Sequence, residues 1–85
     1  MDYSSRNLHN TAVSRNLGQR IRARRRDLRL TQRQLADLAG VAERTVIAAE
    51  AGRPGLRVGH LAQILGVLGL DLRAVRSGDR LADGD

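Results

Sequence analysis

The chain has no cysteine and only one aromatic residue, Tyr3. The first absence excludes disulfides and thiolate-held metal, two common supplements to a small core. The second removes the large aromatic side chains that give many cores their bulk. Long apolar runs are missing as well. The longest, LAQILGVLGL at 61–70, is interrupted by Gln63, Gly66 and Gly69, whereas a spanning helix needs about 20 apolar residues. No apolar run of a secretory signal lies in the first thirty residues. A cytoplasmic protein is the expectation. Lysine is also absent, so all fifteen basic residues are arginine, and with nine acidic ones they leave a net charge of +6.

What is present fits one small domain. A chain of 85 residues buries only about 60% of its unfolded surface. With no disulfide or metal to help, association with a second copy is the remaining source of burial, and a homodimer is expected. Seven arginines (Arg20, Arg22, Arg24, Arg25, Arg26, Arg29 and Arg33) crowd into one stretch. Such a domain suits a polyanionic partner, nucleic acid or an anionic membrane, or else carries a merely solubilising surface. The membrane is disfavoured, because the basic stretch lacks the bulky apolar face of membrane-surface helices.

Residues 1–12, MDYSSRNLHNTA, are polar and patternless and are expected to form a flexible arm. Ser14 can cap a first helix in which Leu17, Ile21, Arg25 and Leu28 share one face. Thr31 stands three residues before Gln34 and marks a capping box for a second helix, Gln32 to Ala39, whose inward stripe is Leu35, Ala36 and Ala39. Gly40 ends it. Val41 restarts the apolar pattern, and a third helix from Glu43 to about Ala51 turns Val46, Ala49 and Glu50 inward. GRPG at 52–55 is a strong turn signal. A fourth helix, Val58 to about Leu68, carries Leu61, Ile64, Leu65 and Leu68. LDLRAVR then alternates, with Leu70, Leu72 and Ala74 on one side; a short strand and an extended tail fit this pattern equally well. The folded unit is placed at 13–76, followed by a disordered acidic tail, 77–85. The fold class is all-α: a compact four-helix domain with two central short helices, expected to be followed by a short C-terminal strand.

The two central helices meet across a short glycine-containing turn, the form of a helix-turn-helix. Isolated helices this short are marginal in water, so the pair must serve something besides its own stability. In that motif the first helix braces across a phosphate backbone while the second enters the major groove. An ordinary helical hairpin is the alternative.

The segment LGQRIRARRRDLRLTQRQLADLAGVAERTVIAAEAG, Leu17 to Gly52, resembles the XRE-type helix-turn-helix family, which includes the lambdoid phage repressors. Thr31-Gln32, Leu35-Ala36, Ala39-Gly40-Val41, Val46 and Glu50-Ala51-Gly52 carry the likeness. Leu56 to Val75 is similar to the HipB-like antitoxin and autorepressor branch, in which a C-terminal strand pairs across a dimer; Leu70, Leu72 and Ala74 would be its dimerisation residues here. The resemblance implies a repressor bound to a double-stranded, palindromic DNA operator at the nucleoid, with a HipA-like toxin kinase as a further partner. It implies phosphate contacts at Thr31, Gln32, Arg24, Arg53 and Arg57, which position without reading sequence. Base reading falls to Glu43, Arg44, Thr45, Ile47 and Ala48. Arginine suits guanine, glutamate suits cytosine and an apolar tip suits a thymine methyl; for Arg44 a phosphate contact is an equal alternative. Arg25 and Glu50 stand where the family joins its first and third helices by an ion pair. Ala42 departs from the serine or threonine usual in the family and leaves the third helix without a side-chain cap.

An enzyme is not expected. His9 and His60 lie in unrelated segments, and no acid/base pair, phosphate loop, metal site or cofactor site can be assembled. The competing function is a protein-binding adaptor or toxin-neutralising module whose basic charge is incidental.

Overall fold

The computed structural model describes residues 3–71, with side chains described for residues 15–71. Four helices follow in order: α1 (Tyr3–Asp27), α2 (Gln32–Ala39), α3 (Glu43–Glu50) and α4 (Val58–Val67). α3 packs on α1, α2 and α4, and α2 packs on α4 as well. Among the described residues there is no strand, so the domain is all-α; Leu72 and Ala74 lie outside those residues.

The core is built from small and medium apolar side chains. Ile21, Leu35, Val46, Ile64, Leu65 and Leu68 are essentially inaccessible, and Ala36, Ala39 and Ala49 fill the gaps between them. Leu17, Val41, Leu56, Leu61, Val67 and Leu70 close its edges. The inward stripes of the second, third and fourth helices therefore lie where their spacing places them.

Two expectations for α1 need correction. Ser14 does not start the helix, which begins at Tyr3 and includes positions 3–12. No glycine or proline interrupts the chain between Tyr3 and Leu17, so nothing in the backbone stops the helix there. Leu28 is not a core residue either, being 40% exposed. The helix ends at Asp27, and the chain turns before the periodic pattern reaches Leu28. Leu30, the next apolar residue, is half-buried.

All four helices stop by the same device, a paired backbone closure in which one residue takes the left-handed conformation. For α2, the Val41 N–H reaches the Ala36 carbonyl at 3.1 Å and the Gly40 N–H reaches Asp37 at 3.4 Å. The corresponding 6→1 bonds run from Arg53 to Ala48 after α3 and from Leu70 to Leu65 after α4. In α1 the same bonds, Leu30 to Arg25 at 3.1 Å and Arg29 to Arg26 at 2.9 Å, force Arg29 to φ 59°. Arg29 is the one non-glycine residue with positive φ among those described.

Candidate nucleic-acid interface

α2 begins as its sequence indicates. The Thr31 hydroxyl accepts from the Gln34 N–H at 3.0 Å, and the Gln34 side-chain oxygen accepts from the Thr31 N–H at 2.8 Å. This reciprocal box satisfies the third N–H of the helix and leaves those of Gln32 and Arg33 without an intrahelical partner. α3 begins differently. Its N-cap, Ala42, has the extended backbone of a cap at φ −70° and ψ 148° but makes no side-chain bond.

On α3, Val46 and Ala49 point into the core, and that fixes what points out. Glu43 and Arg44 are exposed, and Ile47 is 45% exposed despite its size. Thr45 and Ala48 are half-buried at the edges of the same surface. The outward residues thus offer a carboxylate, a guanidinium and an aliphatic tip within two turns.

The far end of α3 is held by charge. Arg25 grips Glu50 with two parallel bonds, Nε to Oε2 at 2.6 Å and Nη2 to Oε1 at 3.1 Å. Arg25 Nη1 also donates to the Leu30 carbonyl at 2.7 Å. The side chains are only 11% and 4% exposed, so this pair is largely dry and its worth lies in fixing geometry. Gln32 joins it: its amide donates to Glu50 Oε1 at 3.2 Å, tying the start of α2 to the end of α3. One carboxylate therefore collects donors from two helices.

A second contact brings α1 against the same end. Gly18 is buried, and a β-carbon there would stand 2.5 Å from the Ala49 carbonyl oxygen and 2.7 Å from that of Glu50. Both are main-chain atoms, so only glycine permits the approach. Periodicity does not single out Gly18, although a glycine inside a helical pattern often marks close packing.

The remaining site residues divide. Arg53 and Arg57 are exposed beside α3 and α4, on the connection between them. Arg24 is engaged within the fold, since its Nε donates to the Leu68 carbonyl at 2.9 Å and covers the C-terminal end of α4. Leu70 is half-buried against the core and closes α4 through its own N–H. Among the described residues no helix is long and apolar enough to cross a membrane, and no cluster of His, Asp or Glu could hold a metal ion.

A helix-turn-helix family model, HTH_3, matches residues 21–75. An uncharacterised HTH-type transcriptional regulator, y4mF, of Sinorhizobium fredii is 34% identical over 64 residues, covering 75% of this chain and 84% of that protein. The match encloses α2, the Gly40 turn, α3 and α4 in one span. The chain belongs to the XRE-type helix-turn-helix family.

Proposed function

We propose that this protein is a sequence-specific transcriptional repressor that binds a palindromic duplex operator as a homodimer. The observation that carries the proposal is the division of α3: Val46 and Ala49 are buried while Glu43, Arg44 and Ile47 face outward. Arg44 is assigned to guanine, Glu43 to the amino group of cytosine and Ile47 to a thymine methyl, with Thr45 and Ala48 at the margin. Thr31, Gln32, Arg53 and Arg57 receive phosphates, with the unpaired N–H groups at the start of α2 adding their dipoles. Arg24 contributes through its terminal nitrogens, since its Nε is committed to Leu68.

Leu70, Leu72 and Ala74 are proposed to join two copies, setting half-sites about 10 bp apart. By resemblance to the HipB-like branch, the operator lies upstream of the protein's own gene, and a HipA-like toxin kinase is a partner in repression. The protein then acts at the nucleoid.

A mobility-shift titration against the upstream region tests the reading. Binding there should exceed binding to random duplex, and Arg44→Ala should weaken the best site by about 1–3 kcal/mol. No shift at low salt ends the proposal. Binding equally weak for every sequence, with a stoichiometric protein partner that copurifies, favours the adaptor instead.

A further inference from the structure

The helix-turn-helix accounts for a minority of the arginines. Arg15, Arg22 and Arg26 are exposed on α1 and have no role in the base-reading or phosphate contacts above. At about 100° per residue they fall with the exposed Gln19 on one arc of roughly 60°. Arg15 to Arg26 spans about 16 Å of helix. Arg29, also exposed, extends the row into the turn, two residues before the α2 cap at Thr31.

We infer that this row is a second phosphate-binding surface, which takes the backbone of duplex DNA without reading its sequence. Charge of a single sign is the first support. The one acidic residue of α1, Asp27, lies roughly 100° around the helix from Arg26, the nearest arginine of the row. The described ion pair, Arg25 with Glu50, does not involve it. Continuity along the chain is the second support: Arg26 and Arg29 stand five and two residues before Thr31, where the proposed phosphate contacts begin. A duplex carries one negative charge per about 1.7 Å of axis, so a guanidinium row of this length meets several phosphates in any register.

Chemistry argues against the other polyanions. A lipid surface calls for an apolar flank, but Ile21 is fully buried and no side chain on the arc between Arg15 and Arg26 is apolar. An acidic protein partner would need a desolvated anchor, and the row offers only solvated guanidinium groups. The inference rests on the DNA-binding reading above but concerns affinity rather than sequence choice.

The test is the salt dependence of binding for the full chain and an Arg15→Gln/Arg22→Gln/Arg26→Gln variant. Fluorescence anisotropy is read on two probes, a random-sequence duplex and a duplex of the upstream region. The slope of log K against log salt should shrink by about 0.9 for each phosphate that is no longer neutralised, roughly 2–3 in all, on both duplexes. Preference for the upstream duplex should be unchanged, and thermal melting should match the parent. Should the triple variant fail to fold, Arg22→Gln alone should reduce the slope by about 0.9. An unchanged slope on both probes overturns the inference, as does a selective fall in preference for the upstream duplex. Weakened binding to phosphatidylserine vesicles, with the DNA slope intact, overturns it in favour of lipid headgroups. Failure of the base-reading proposal looks different: the parent then shows no preference between the two duplexes, and Arg44→Ala changes nothing.

Discussion

Arg25 and Glu50, twenty-five positions apart, form a two-pronged ion pair that joins the end of α1 to the end of α3 beneath the surface. Removing one partner strands the other in a site that is at most 11% exposed. Glu50→Ala should therefore cost about 3–5 kcal/mol in urea unfolding. Arg25→Met combined with Glu50→Leu should recover most of that stability, because an apolar pair of similar volume avoids desolvation. If the double variant is as unstable as the single ones, the pair contributes more than burial logic allows.

Gly18→Ala is expected to destabilise even though alanine is the better helix former. The new methyl would meet the Ala49 and Glu50 carbonyls, neither of which can yield without moving the main chain. Overpacking of this kind costs about 1–3 kcal/mol. A thermal melt that is unchanged or raised would show that α1 can slide away freely.

Arg29 offers the opposite opportunity. It occupies a left-handed position at φ 59° that disfavours a side chain, in a closure that uses glycine at the ends of α2, α3 and α4. Arg29→Gly should stabilise by about 0.5–1 kcal/mol, the relief of strain outweighing the added freedom of the unfolded chain. Denaturant midpoints of parent and variant decide it.

Ala42 has cap geometry without a cap side chain, so Ala42→Ser should need no rearrangement. The hydroxyl can accept from the first turn of α3, for a gain of about 0.5–2 kcal/mol. Slower hydrogen exchange at the Arg44 and Thr45 amides would localise the gain, and uniform protection across the domain would contradict it.

Local signals carry most of the fold. Thr31 with Gln34, Gly40 as a stop and the stripes ending in Ala49 and Leu68 depend on neighbours within four residues, and each is found in place. Periodicity alone gives no helix end, which is why it assigns Leu28 to the core and a helix start to Ser14. Contacts between distant segments are less accessible. Gly18 under α3, Gln32 on Glu50 and Arg24 on Leu68 join residues 18 to 44 positions apart, and no local pattern encodes them. Arg25 and Glu50 are recognisable through family resemblance rather than through spacing.

The bare N-cap at Ala42 has a wider meaning when set beside the grip on Glu50. α3 is held at its far end by side chains, whereas its start, with Glu43 and Arg44, rests on main-chain bonds such as that from the Thr45 N–H to the Ala42 carbonyl at 2.9 Å. Under the proposed contact with a major groove, a start without a side-chain cap leaves the final alignment of Glu43 and Arg44 to the encounter. On that reading, selectivity would carry an ordering cost that a side-chain cap at position 42 would have met in advance.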